Sequence, residues 1–285
     1  ALFAAMLGGA LGLVFPMCEC GIVVVMRRLL RKGLPLGCCI AYMLAGPIVN
    51  LVVLFSTYVA FAPHGIGWEM VFLRAGLGFV TAVITGLIVT RLHAKHGNDL
   101  LTEIAAPKPL KKAISLDIVA DTALEDPPAP RKSALKRLGN ISETALHDFI
   151  DITVFLILGA ILAAVAKMLI APEEIARLSR EQPYLAIPVM MALAVVMCLC
   201  SEADAFVAAS FTEMSVSSKL GFLVLGPMLD LKLLLMFTRV FRPRLIAVIV
   251  VCTVVQVLIY TLVVHQVYDP LPGGGTTAPS ASTPQ

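Results

Sequence analysis

Long apolar blocks with brief polar interruptions run through most of this chain. Five stretches, 35–61, 70–92, 149–171, 217–240 and 244–266, carry enough apolar residues to cross a bilayer, which takes about 20 in helical form. Two more, 1–16 and 184–199, are shorter and run straight into polar motifs. The alternating segments of about ten residues that mark a transmembrane β-barrel are absent. The pattern predicts an all-α integral membrane protein, a polytopic helical bundle. Residues 93–148 break it with a polar stretch rich in Pro, Lys and Asp, expected as a soluble loop that is disordered near 105–135. The tail 269–285, DPLPGGGTTAPSASTPQ, reads as a flexible extension. Asn140-Ile141-Ser142 matches a glycosylation triplet, a pattern short enough to arise by chance.

Composition agrees. The chain is 59% hydrophobic and 14% charged, with a mean hydropathy of +0.91, whereas soluble domains sit near 45–50% apolar and about 25% charged. A water-soluble globule is excluded. The net charge of +3 is too small and too unevenly spread for a nucleic-acid footprint, so no nucleic-acid partner is expected. No P-loop pattern is present, so ATP-driven transport would need another subunit.

Where the cations fall orients the segments. Lys95, Lys108, Lys111, Lys112, Arg131, Lys132, Lys136 and Arg137 place the 93–148 loop in the cytoplasm. Arg27, Arg28, Arg31 and Lys32 put the start of 35–61 inside, as a lipid-headgroup cluster. Arg239, Arg242 and Arg244 put the end of 217–240 inside, and the turn at 62–69, free of Lys and Arg, suits the outside. Glu213 and Lys219 are expected at the interface.

Sliding the sequence by 180 residues aligns its two halves: CECG at 18–21 falls on CLCS at 198–201, and AGPIVNLVVL at 45–54 on LGPMLDLKLL at 225–234. Gly46 then meets Gly226, Pro47 meets Pro227, and Asn50 meets Asp230. Segment 35–61 runs in to out and its counterpart 217–240 out to in, so the repeats have inverted topology, as in secondary transporters. Each repeat also holds a stretch too short and polar for two full spans: 184–216, with CLCSEAD at its tip, and 1–32, with PMCECG at its tip. These predict broken or re-entrant helical hairpins, with full crossing as the alternative. The organisation is a first repeat at 1–92, the loop at 93–148, a second repeat at 149–268 and the tail at 269–285. Since 149–171 has no counterpart, one more helix is expected upstream of Ala1.

Non-helical backbone at membrane depth is tolerated only inside protein or along a wet cavity, and charges there face a partner or a cavity. Paired interruptions near Pro16, Gly21, Pro47 and Pro227 point to a central site. Its candidate residues are Cys18, Glu19, Cys20, Asn50, Cys198, Cys200, Ser201, Glu202, Asp204 and Asp230. Cys18, Cys20, Cys198 and Cys200 supply soft thiolate ligands for a transient metal or metalloid. Glu19 or Glu202 could take up protons or a coupling cation. Gly46-Pro47 and Gly226-Pro227 read equally well as packing kinks. Cys38, Cys39 and Cys252 read as small packed hydrophobes, and none of the five histidines reads as a metal ligand. The implied partners are membrane lipid and a small-molecule or ion substrate; no cofactor is expected, and a homo-oligomer is left open. A rival reading is a membrane thiol-disulfide oxidoreductase, although Glu19 beside the thiols opposes a reactive thiolate. Another is a structural membrane subunit without transport.

The stretch FPMCECGIVVVMRRLLRKGLPLGCCIAYMLAGPIVN, through Pro16, Cys18, Cys20, Gly21, Gly33, Pro35, Pro47 and Asn50, resembles the predicted-permease family that includes the organoarsenical efflux permease ArsP. HDFIDITVFLILGAILAA and CSEADAFVAASF extend the resemblance over nearly the whole chain apart from the loop and tail. It implies an integral permease of the bacterial inner membrane rather than an enzyme, with thiol-assisted efflux of arsenicals as one activity. The family's Pro-x-Cys-Ser-Cys-like motif has Glu19 in place of its Ser. That added negative charge leans toward a cation or a proton-coupled process.

Overall fold

A computed structural model describes residues 2–15, 17–96, 102, scattered positions between 146 and 165, and residues 183–212 and 214–268. The expected span at 149–171, most of the 93–148 loop and the 269–285 tail lie outside the described residues. The described elements are helices: α1 (Leu2–Val14), α2 (Glu19–Arg31), α3 (Leu36–Ala45), α4 (Leu51–Phe61) with a 3-10 turn at Ala62–His64, α5 (Gly67–His96), α6 (Pro183–Met197), α7 (Ser201–Ser210), α8 (Val216–Met228), α9 (Leu231–Val240) and α10 (Pro243–Tyr268).

Among the described residues three apolar stretches are long enough to cross a membrane: Gly67–Lys95, Val216–Val240 and Pro243–Val267. They differ in where they sit. Val216–Val240 is mostly buried and forms the middle of the bundle, while Pro243–Val267 is mostly uncovered and lies at its rim. Along α10 the exposed Val251, Val255, Ile259, Val263 and Val267 recur every four residues, which draws one apolar stripe down a helix. In water that stripe would be costly; against acyl chains it is the expected surface.

The expected single span 35–61 is divided. Pro47 has no N–H to continue the ladder, and the chain turns on Val49 N–H to Ala45 O at 2.7 Å. Asn50 then adopts an extended conformation and caps α4, its Oδ1 accepting from Val52 N–H at 3.0 Å, a cap of about 1 kcal/mol. The second half repeats the device with a shift. Pro227 sits within α8, the break comes at Leu229 and Asp230, and the Asp230 carboxylate caps α9 through Leu233 N–H.

The other two breaks fall at 15–18 and 198–200, so Glu19 and Cys20, expected at a loop tip, lie in the first turn of α2. Cys18 and Cys200 are the N-cap residues of α2 and α7 and neither caps with its side chain. These caps are 182 positions apart, whereas Asn50 and Asp230 are 180 apart; the structure thus pairs Cys18 with Cys200, where the sequence alignment pairs it with Cys198. Helix α7, with 10 residues, is about 15 Å long at 1.5 Å per residue, half of a hydrocarbon layer of about 30 Å.

Helix α1 packs on α3 and α5, α2 on α3, α6 on α8 and α10, and α7 on α8. The halves are joined by α4 with α7, α2 with α9, α5 with α10, and α8 with both α3 and α5. The crossed pairs bring the breaks of the two halves together.

Candidate functional site

Helices α2, α7 and α9 start within hydrogen-bonding reach of one another. The first N–H of α7, on Ser201, donates to Glu19 Oε1 at 3.1 Å, so a carboxylate from the first half caps a helix of the second. Each uncapped helix start carries about half a positive charge, which Glu19 answers at α7. Its other oxygen, Oε2, accepts from Lys232 Nζ at 3.2 Å, and Lys232 also pairs with Asp230 Oδ2 at 3.1 Å. Asp230 in turn holds the start of α9. A connected network thus ties α2, α7 and α9.

Arg74, about two turns into α5 and fully buried, is the second cation of the site. Its Nη1 donates to Thr57 Oγ1 at 2.7 Å and its Nη2 to the Ser201 carbonyl at 2.9 Å. Ser201 is therefore held at both its N–H and its carbonyl by buried charges, Glu19 at the first and Arg74 at the second. Ser56 Oγ on α4 donates to the Glu202 carbonyl at 2.9 Å, fixing the next residue of the same turn. Asp204, one turn into α7, is buried, and its Oδ2 has no hydrogen-bond partner among the described residues.

The candidate residues divide accordingly. Glu19, Ser201, Asp204 and Asp230 come together at this buried centre, and Asn50 is buried as the α4 cap. Cys18 and Cys200 are exposed at the helix starts, and Cys198 is half-buried. Glu202 is exposed, with Cys200 Sγ 3.4 Å from its Oε2. The Cys20 side chain lies outside what the structure describes. Among the described residues no three or more His, Cys, Asp and Glu side chains are grouped as metal ligands.

Cys198 has φ +48°, a left-handed conformation that no other described non-glycine residue adopts, and such strain persists where its surroundings enforce it. Cys38 and Cys39 are buried and Cys252 is half-buried. Lys219, expected at the interface, is buried near the start of α8, and His265 Nδ1 lies 3.0 Å from the Ser217 hydroxyl.

Glu19 lies between two cysteines in the chain but is not an isolated charge. Its negative charge is taken up by Lys232 and by the α7 start, and so is not a free charge beside the sulfurs. The two cations of the cluster, Arg74 and Lys232, were missed from sequence. Each left one signal: a cation away from the ends of an apolar span, two positions after Asp230 in the case of Lys232.

Apolar spans, interrupted helices and a buried charge cluster drawn from both halves define an integral membrane permease. The chain belongs to the ArsP_1 family of predicted permeases, which it matches over residues 1–266. It is 37% identical to UPF0718 protein YcgR of Bacillus subtilis over 264 residues, covering 92% of this chain and 82% of that protein. It is 31% identical over 258 residues to a protein of Streptococcus mutans named a putative two-component membrane permease complex subunit, covering 90% of this chain and 78% of the relative. An archaeal relative, UPF0718 protein MJ0584 of Methanocaldococcus jannaschii, is 23% identical over 172 residues, covering 60% of this chain and 46% of that protein. No solved structure matches the chain.

Proposed function

We propose that this permease is a secondary transporter built from two inverted repeats, and that its substrate path passes the cluster of Glu19, Arg74, Asp204, Asp230 and Lys232. The observation that carries this reading is the crossing of the halves: Glu19 of the first caps α7 of the second, and α4 rests on α7 as α9 rests on α2. Such reciprocal contacts are what a pseudo-two-fold relation between α1–α5 and α6–α10 produces. The cations support inversion. Arg27, Arg28, Arg31 and Lys32 lead into the α2–α3 turn, whose counterpart at 211–215 has no Lys or Arg. Arg239, Arg242 and Arg244 surround the α9–α10 turn, while its counterpart at 62–66 has none. Positive charge swaps ends between the repeats, as it must if they face opposite ways.

The substrate is a thiophilic metal or metalloid, or a small sulfur-containing species. Cys18 and Cys200 immediately precede the two residues joined by the Glu19–Ser201 hydrogen bond, and both thiols are exposed. They present soft sulfur at the edge of the polar centre. The relative named as a subunit of a two-component complex adds a second polypeptide to the reading as a further partner.

Flux in proteoliposomes tests it, with Cu(I), Zn(II), trivalent arsenicals and thiosulfate as probes. At least one probe crosses faster than through empty liposomes, and Cys18→Ser with Cys200→Ser abolishes the difference. Equal flux in the intact protein and the double variant overturns the role of the thiols. No flux of any probe overturns the substrate class.

A further inference from the structure

Counting charge in the buried cluster gives three acids, Glu19, Asp204 and Asp230, against two cations, Arg74 and Lys232. One carboxylate is in excess. The hydrogen bonds say which. Glu19 is held by Ser201 N–H and Lys232, and Asp230 by Leu233 N–H and Lys232. Asp204 alone of the three leaves a buried oxygen with neither a hydrogen bond nor an ion pair among the described residues. An orphaned carboxylate at membrane depth is among the costliest groups a protein can hold.

The first half of the chain supplies an internal control. Ile22 and Asp204 occupy equivalent positions: each donates its N–H to the N-cap carbonyl, Ile22 to Cys18 at 3.1 Å and Asp204 to Cys200 at 2.9 Å. Each also aims its side chain at the glycine before a proline, Gly46 before Pro47 and Gly226 before Pro227. Ile22 Cδ1 fills the space over Gly46, and Asp204 Oδ2 lies 2.9 Å from where a Cβ on Gly226 would stand. The same notch accepts a plain hydrocarbon in one half and an acid in the other. Packing does not call for the acid.

We propose that Asp204 is the coupling carboxylate of this permease, carrying one proton in the conformation seen here and releasing it when the transport cycle brings Arg74 against it. The step is a simple ionisation: a proton from the aqueous phase on one face adds to the carboxylate and leaves toward the other face as Arg74 becomes its counter-ion. The charged groups whose fields reach Asp204 are Arg74 from α5, Glu19 from α2, and Asp230 and Lys232 from α9. From α4 the nearby side chains are the uncharged Ser56 and Thr57. Helix α8 offers Gly226, with Lys219 seven residues earlier, about 10 Å along the axis. On α7 itself Glu202 is exposed. This assignment rests on the transporter reading above, and its test is independent of flux.

Infrared difference spectroscopy of the full chain in lipid, stepped between acid and alkaline buffer, reads the carboxylic-acid C=O band directly. A band that shifts in D2O is expected in the intact protein, and it is lost in Asp204→Asn and in Asp204→Ile but kept in Glu19→Gln and Asp230→Asn. Asp204→Ile, which copies the first half, is expected to melt no lower than the intact protein; if it does not fold, Asp204→Asn decides. Absence of the band in the intact protein, or its loss in Glu19→Gln or Asp230→Asn instead, overturns the proposal. So does erasure of the band by sodium chloride at constant pH, which makes the site one for a metal cation. Failure of all flux alongside an intact Asp204 band sinks the substrate reading and leaves this assignment standing.

Discussion

Replacing Lys232 with methionine removes one positive charge while keeping most of the side-chain volume, and the structure sets the cost. Lys232 is buried and bridges Glu19 at 3.2 Å and Asp230 at 3.1 Å. Without it, three acids face Arg74 alone. Removing one partner of a buried ion pair costs about 3–5 kcal/mol, because the remaining charge is left without compensation. A second substitution separates this cause from lost packing. Glu19→Gln on top of Lys232→Met returns the cluster to an excess of one acid, and the glutamine carbonyl can still accept from Ser201 N–H. The double variant should therefore recover at least about 2 kcal/mol, within the range measured for residues in direct contact. Unfolding in mixed micelles titrated with sodium dodecyl sulfate, run on all four members of the cycle, gives the coupling energy. A single variant that loses less than about 1 kcal/mol, or a double variant no better than the single, refutes the electrostatic account of this network.

Cys198→Gly should raise stability by about 1 kcal/mol by relieving the left-handed backbone, whereas Cys198→Val should lower it; equal melting temperatures for the two would contradict this. Gly226→Ala should destabilise the protein by about 1–3 kcal/mol as its new methyl meets Asp204 Oδ2, and Asp204→Ala in the same chain should restore the melting temperature. If the second substitution gives no recovery, the collision is not the cause.

Much of the architecture was legible in the sequence because the bilayer imposes a length on every apolar block. The spans 70–92, 217–240 and 244–266 fall on Gly67–His96, on Val216–Met228 with Leu231–Val240, and on Pro243–Tyr268. The breaks were legible through Pro47, Pro227, Asn50 and Asp230, since proline cannot donate and Asn and Asp cap the helices that start after them. Pairing was not. Lys232 meets a carboxylate 213 positions away, and no local pattern announces a partner at that distance. Arg74 stood unremarked inside its span, although a lone cation there requires partners; the Thr57 hydroxyl and the Ser201 carbonyl that hold it belong to α4 and α7. The shift from 180 to 182 between the two sets of helix starts was likewise hidden, because an offset of 180 aligns both cysteines of the two motifs, whereas 182 sets Cys18 on Cys200 but Cys20 on Glu202. It is that shift that sets Asp204 opposite Ile22.

The central claim is that the two halves approach one buried centre from opposite faces of the membrane. Helix α2 leads from that centre to Lys32 and helix α7 leads from it to Thr212, so these two exposed residues should emerge on different sides. Lys32→Cys and Thr212→Cys, each in a background without other cysteines, can be labelled with a membrane-impermeant maleimide in intact and in permeabilised cells. The account predicts that Thr212→Cys is labelled in intact cells and Lys32→Cys only after permeabilisation. Labelling of both from the same side would contradict it.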